Sequence, residues 1–378
     1  MSLRKQVLLV AMLDSIHTAR WLEQFVGEEV EFTIFPSKKF KNLHPSIHQL
    51  IKGGSTDQFN FHQKIPLATS GFYDYLFFES WLSKRGSRQV ALNELLLRNS
   101  YDYIHALEIQ GAGYLLANST FPRNCKTIIS NWGSDIYFYR KYEEHLSQIK
   151  QLLTQVDAYS AECIRDYNLA KELGFKGILL PCIPNAGGHS VPESLMKPME
   201  RNQIIIKGYG GTFGRAIEVI SIASEILDKY QSVNLFIYSL TKDNYAAVKE
   251  LKKRYGDRVS FQKAENRLSH SKMQLEFQKS RIYIGSSISD GISTSFLEAL
   301  ANGAYPIQTN TSCANEWVEK GALASLVNVD RFEILREVNR VINDRIFLED
   351  ALAANRLVAL ENLDSNSLKI KSRTFYRI

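Results

Sequence analysis

RIYIGSSISDGISTSFLEALANGAYPIQTN, residues 281–310, passes from an apolar run through small and hydroxyl residues into an amphipathic stretch and a second apolar run. Its periods read strand, loop, helix, strand, which is one βαβ unit of a parallel sheet. The helix is expected to start near Ser293 or Thr294. A plain strand-to-helix turn needs only one capping residue. Here Asp290 and Glu298 stand with seven residues between them, around Gly291, Ile292 and the hydroxyls of Ser293, Thr294 and Ser295.

Outward from this unit the alternation continues. Upstream lie NQIIIKGYG, FGRAIEVISIASEILDKY and VNLFIYSL, and downstream comes ANEWVEKG. Before them, PCIPNAGGHSVPESLMKP (181–198) breaks the pattern with four prolines and two adjacent glycines, and reads as a linker. The N-terminal part repeats the alternation, from QVLLVAML through SIHTARWLEQF and VEFTIF to YDYIHAL and KTIISNW. Continuous Val/Ile/Leu runs suit strands buried on both faces. The chain is therefore predicted to be α/β, with Rossmann-like domains at 1–183 and 199–360 and a linker at 184–198. Ligands of such sheets bind beyond the carboxyl ends of the strands, so a cleft between the domains is the expected site.

Composition narrows the function classes. Hydrophobic residues make up 44% of the chain and charged residues 23%, as in ordinary globular proteins. The formal charge of +6 is spread out: Lys and Arg number 20 against 18 acids in residues 1–180, and 26 against 22 beyond. That argues against nucleic acid as the partner and leaves room for an anionic substrate or an acidic membrane surface. Cys125, Cys163, Cys182 and Cys313 lack zinc or redox spacing and suit a reducing cytoplasm. MSLRKQVLLVAMLDS reads as a first strand, and no other run approaches the length of a membrane span.

A helix starting at Ser293 or Thr294 turns its unpaired N–H groups and positive dipole end towards the expected cleft, a setting for phosphate. Glu298 then projects from about the first turn, placed for ribose hydroxyls. Alternatively, Ser295 and Glu298 form a capping box that needs no ligand. In IIIKGYGGTFGRAIEVI, Lys207 ends a strand and Arg215 opens a helix across a loop holding Gly208, Gly210 and Gly211. Two cations around such a loop suit a diphosphate, the alternative being a glycine-rich turn with two solvated bases. Phe213 stands at the third glycine position of a dinucleotide fingerprint, and no Gly-Lys-Ser/Thr makes a P-loop.

In the N-terminal half, His17 and Thr18 follow the first strand, His105 ends YDYIHAL, and Asp135 follows a strand in SNWGSDIYFY. They are read as substrate contacts on the cleft side. The alternatives are a core histidine for His105 and a helix cap for Asp135. The sequence has no nucleophile elbow, no His-Glu-x-x-His, no metal-spaced cluster and no Asp-x-Asp pair. A diphosphate would then be neutralised by Lys207, Arg215 and a helix N-terminus, with no metal.

These residues together resemble the retaining glycosyltransferases of the two-Rossmann-domain (GT-B) type, specifically their large fourth family, whose bacterial members make lipopolysaccharide, capsule and other surface glycans. The family signature is Glu, seven residues, Glu; Asp290 and Glu298 match that spacing with Asp for the first Glu. FLEALANGAYPIQTN is similar to the helix, glycine and strand that follow. Lys207 and Arg215 resemble the diphosphate-holding pair with Lys and Arg exchanged, and SIHTARWL, YIHALE and NWGSDIY resemble N-terminal segments of the family.

The resemblance implies transfer of a sugar, with retention and without metal or other cofactor, from a UDP- or GDP-linked donor to a hydroxyl of a glycan or lipid-linked acceptor. Glu298 would bind ribose, Asp290 the donor sugar, and the amides from Gly291 to Thr294 the phosphates, with Lys207, Gly210, Gly211 and Arg215 beside them. His105, Asp290, Lys207 and Arg215 would form the catalytic set, and His17, Thr18 and Asp135 the acceptor side. Residues 361–378 would return to the first domain. Residues 36–90 and the terminal SLKIKSRTFYRI are basic and aromatic, so peripheral contact at the inner face of the cell membrane is a further expectation. Two rivals keep the fold: a nucleotide- or glycan-binding protein without catalysis, and a sugar-nucleotide epimerase.

Overall fold

The apolar runs become two parallel sheets in the computed structural model of the chain, which describes residues 4–40, 43–52, 59–61, 82, 84–120, 124–266 and 268–378. The chain divides into two units, Met1–Gly187 with Leu368–Ile378, and Gly188–Ser367.

In the first unit, β1 (Lys5–Ala11), β2 (Val30–Pro36), β3 (Phe59–Phe61), β4 (Tyr103–Leu107), β5 (Lys126–Ser130), β6 (Ala158–Ser160) and β7 (Ile178–Leu179) form one parallel sheet. Their spatial order is β3-β2-β1-β4-β5-β6-β7. Val7 to Ala11 are fully buried, as expected of a central strand covered on both faces.

The second unit carries β8 (Gln203–Lys207), β9 (Asn234–Leu240), β10 (Val259–Lys263), β11 (Ser280–Gly285), β12 (Tyr305–Thr309) and β13 (Ser325–Val327), ordered β10-β9-β8-β11-β12-β13. Alternate side chains of one strand enter different cores. Ile204 and Ile206 of β8, Leu235 and Ile237 of β9, and Ile282 and Ile284 of β11 pack with helix Ala216–Lys229. Ile205, Phe236, Tyr238 and Tyr283 pack on the other face with helix Thr294–Asn302. The helix after β8 and the helix after β11 therefore lie on opposite faces, although β8 and β11 are hydrogen-bonded neighbours.

The C-terminal residues complete the first unit's core. Phe375 and Tyr376 are buried there, and Tyr376 Oη accepts from Trp21 Nε1 at 3.2 Å and meets His105 Nδ1 at 2.9 Å. The return to this unit starts at Leu368, later than the expected residue 361, because Val358, Ala359 and Leu363 of helix Arg345–Leu363 are packed in the second unit's core. The aromatic residues of SLKIKSRTFYRI are thus core residues, and Arg373 and Lys369 pair with Glu28 at 2.5 and 3.7 Å. Most of the irregular segment 36–90 lies outside the described residues. Among the described residues, no helix is long and apolar enough to cross a membrane.

Removing the Tyr376 hydroxyl strands two buried ring nitrogens at once. Tyr376→Phe is expected to destabilise the first unit by about 1–3 kcal/mol in urea unfolding followed by intrinsic tryptophan fluorescence. An unchanged midpoint would show that the tail does not brace this core.

Candidate functional site

The loops leaving β8 and β11 start side by side and run to helices on opposite faces, which makes this edge the switch point of the second sheet. They are tied together by hydrogen bonds. Arg215 N donates to Ser286 O at 3.2 Å, Ile288 N donates to Phe213 O at 2.9 Å, and Gly214 bridges Ser287.

Helix Thr294–Asn302 opens here with Ser293 as its N-cap, but the Ser293 side chain makes no capping bond. The first hydrogen bonds back to the cap are Phe296 N and Leu297 N to Ser293 O. The N–H groups of Ile292, Ser293, Thr294 and Ser295 have no acceptor among the described residues. Gly291 N is different, because it donates to Asp290 Oδ1 at 3.0 Å. Ile292 contributes only its backbone, since its side chain is buried in the core. Around this point the hydroxyls of Ser286, Ser287, Ser293 and Ser312 are buried without a hydrogen-bond partner. Four open amides and the Ser293 hydroxyl at the positive end of a helix, with the unpaired hydroxyls of Ser286 and Ser287 after β11 and Ser312 after β12, form a donor-rich site for an anion.

Lys207 is the last residue of β8, half-buried, and its ammonium has no hydrogen bond or ion pair among the described residues. Arg215 is the N-cap of helix Ala216–Lys229. Its Nη1 donates to the Gly214 carbonyl at 2.7 Å and to those of Gly211 and Thr212 at 3.4 Å, closing the guanidinium over its own loop. Glu298 lies beyond the first turn of its helix, nearly buried, with Oε1 3.5 Å from His270 Nδ1. The helix starts at Thr294 rather than after Ser295, so Glu298 is out of register for a capping box.

Gly210 and Gly211 require a correction. Their N–H groups are already engaged, by Thr241 Oγ1 at 2.9 Å and Asp243 Oδ2 at 2.9 Å. A Cβ on Gly210 would lie 2.0 Å from Asp243 Oδ2, so this glycine makes room for a carboxylate of the protein itself. Thr241 and Asp243 follow β9, and His270 opens helix His270–Lys279 after β10; sequence reasoning missed all three. The only signal available was a Thr-x-Asp turn directly after the apolar run VNLFIYSL.

In the first unit, two candidates turn inward. His105 sits in the middle of β4, fully buried, with Nδ1 at Tyr376 and Nε2 2.8 Å from Ser130 Oγ. It is a core histidine and not a substrate contact, and burial holds its imidazole down at about 3. Asp135 accepts from Trp132 N at 2.9 Å and Ile109 N at 3.1 Å, bracing the turns after β4 and β5. Burial, with Glu108 and Asp166 nearby, pushes its carboxyl up to about 8, so it is a brace and not an open acceptor-side acid. Thr18 is fully buried with its hydroxyl unpaired, and the His17 ring lies 5.0 Å from that of Trp132. Asn131, Asp166 and Asn185 extend this buried polar layer: Asn131 Nδ2 donates to Asp166 at 2.7 Å, and Asn185 Nδ2 to Asn131 O at 2.9 Å.

Comparison with protein-family models and with curated protein sequences gives no match. Solved structures do match. HepE of Anabaena, solved with UDP and glucose, aligns over 99% of this chain and 100% of its own with a TM-score of 0.70 at 12% identity. Sucrose-phosphate synthase from Thermosynechococcus elongatus covers 99% of this chain and 98% of its own, with a TM-score of 0.71 at 13% identity. A glycosyltransferase from Rickettsia africae covers the same shares, with a TM-score of 0.63 at 14% identity. The chain has the GT-B fold of two Rossmann-like units.

The buried His105 gives this fold a dependence on acidity. Between its ordinary value of 6.5 and about 3, the unfolded chain binds a proton that the folded unit excludes. Its contribution is therefore full above the unfolded value and is lost as pH falls towards 3. His105→Gln is expected to lose less melting temperature than wild type between about pH 7 and about pH 4.5. Equal losses would mean that His105 does not titrate on unfolding.

Proposed function

We propose that this protein is a glycosyltransferase that moves a sugar from a nucleoside-diphosphate donor to a hydroxyl of a glycan or lipid-linked acceptor. The observation that carries the reading is the group of open amides at Ile292–Ser295, beside Lys207 at the β8/β11 switch point. The GT-B fold supports it, as does the UDP held by HepE, a structure of the same fold. Glu298 is within its reach a ribose acceptor, and Asp290 a contact for the donor sugar. The acceptor would dock against the first unit, with the partly exposed His17 as the remaining candidate there, since Thr18 is fully buried like His105.

The chemistry follows from charge. Breaking the bond between sugar and diphosphate leaves an oxocarbenium-like sugar and adds negative charge to the departing phosphate. Fixed amides and the Lys207 ammonium stabilise that charge more in the transition state than in the ground state. Same-face attack by the acceptor hydroxyl, with its proton passing to the departing phosphate, needs no carboxylate nucleophile from the protein. Retention, independence of metal and a role in surface polysaccharide or lipopolysaccharide synthesis belong to the same proposal.

A thermal-shift panel with UDP, GDP, ADP and CMP tests the reading. One of the diphosphates, at a hundred times its dissociation constant, is expected to stabilise the protein by about 2.7 kcal/mol, with or without EDTA. Glu298→Ala is expected to lose the response. Once the donor is known, Lys207→Ala should raise the barrier by about 2–4 kcal/mol with the melting temperature unchanged. No shift with any nucleotide would remove the donor site; a shift abolished by EDTA would overturn the metal-free mechanism.

A further inference from the structure

Asp243 is an exposed carboxylate that nevertheless makes two bonds to fixed partners. Its Oδ2 accepts from Gly211 N at 2.9 Å, and its Oδ1 accepts from Thr241 Oγ1. Thr241 Oγ1 in turn accepts from Gly210 N at 2.9 Å, and Asn244 Nδ2 reaches Gly208 O at 3.4 Å. The turn after β9 thus grips three positions of the glycine loop, Gly208, Gly210 and Gly211. Gly211 holds a φ of +69°, and the carbonyl it presents is one of the three that accept from Arg215 Nη1. A continuous chain of hydrogen bonds therefore runs Thr241, Asp243, Gly211, Arg215. Neither the Nε nor the Nη2 of Arg215 has a partner among the described residues, so the outer edge of the guanidinium remains available to an anion. The hydrogen bonds from Thr241 and Gly211 hold the Asp243 carboxyl below its ordinary value, consistent with a carboxylate kept charged as an acceptor.

Charge alone would make this residue a poor choice beside a phosphate site. A negative group seated against the loop between Lys207 and Arg215 opposes an incoming diphosphate. Its presence there calls for a structural return, and the hydrogen-bond chain supplies one. We infer that Asp243 is a positioning residue, fixing the 208–215 loop so that the Arg215 guanidinium faces the bound donor diphosphate. This rests on the donor site proposed above.

The two influences of Asp243 have opposite signs, which makes the inference testable. Titration calorimetry with UDP, and with GDP as the alternate base, is run on wild type, Asp243→Ala, Asp243→Asn, Gly210→Ala, Arg215→Ala and the Asp243→Ala/Arg215→Ala double variant. Melting temperatures check that each variant is folded. Asp243→Ala is expected to weaken diphosphate binding about fivefold although it removes a repelling charge. Asp243→Asn keeps an acceptor for Gly211 N and should restore wild-type affinity or better. Gly210→Ala pushes the Asp243 carboxylate out of its seat without altering its charge, and should weaken binding as Asp243→Ala does. In the Arg215→Ala background, Asp243→Ala should cause no further loss and should show only the gain from the removed charge, because its positioning effect acts through Arg215.

Tighter binding in both Asp243 variants would overturn the inference, reducing Asp243 to a repelling charge while the donor site stands. Additive losses in the double variant would overturn it as well. Failure of wild type to bind either diphosphate would remove the donor site and this inference with it.

Discussion

Strands of a parallel sheet are joined by right-handed crossovers, and the second unit obeys that constraint by sending its chain to one face after β8 and to the other after β11. Everything proposed for the site depends on this. Because β8 and β11 are neighbours, two loops and two helix starts meet over a single pair of strand ends. The helix that opens at Thr294 is held by Phe296, Leu297, Leu300 and Ala301 in one core, so its free amides are fixed in place by apolar packing below them. Lys207 is fixed in the same way by Ile204 to Ile206 of its own strand. The site is polar at its surface and anchored by apolar contacts beneath.

How far the sequence alone revealed this depended on the range of the interactions. The strand, loop, helix and strand of residues 281–310 were legible because each is set by local period, as were the positions of Glu298 on that helix and of Lys207 at the end of another apolar run. The capping alternative for Glu298 turned on where the helix begins, two residues earlier than that alternative requires, which period alone does not resolve. The glycines at 210 and 211 looked like room for a ligand because the carboxylate that fills the space comes from residue 243, after another strand. His105 looked like a strand-end contact because its partner, Tyr376, is 271 positions away. Local pattern predicted the elements; pairings between distant segments decided which side chains are open.

The first unit shows the same principle working against solvent access. Glu108, directly after β4, and Asp135 and Asp166, in the helices that follow β5 and β6, are buried acids, and each is held by hydrogen bonds: Asp135 and Glu108 by backbone amides, Asp166 by Asn131 and Arg165. Glu108 takes a φ of 78° and accepts from Gly111 and Ala112, shaping the turn after β4. A buried carboxyl without such partners would be costly, and here the partners make it a brace. Not every buried polar group nearby is held in this way: the hydroxyl of the fully buried Thr18 has no partner among the described residues.

The most direct test of the account is a crystal structure of the protein with UDP. The account predicts the diphosphate on the N–H groups of Ile292 to Ser295, with Lys207 against it, Glu298 at the ribose, and Asp243 still bonded to Gly211. A diphosphate bound elsewhere, with those four amides facing only solvent, would contradict it.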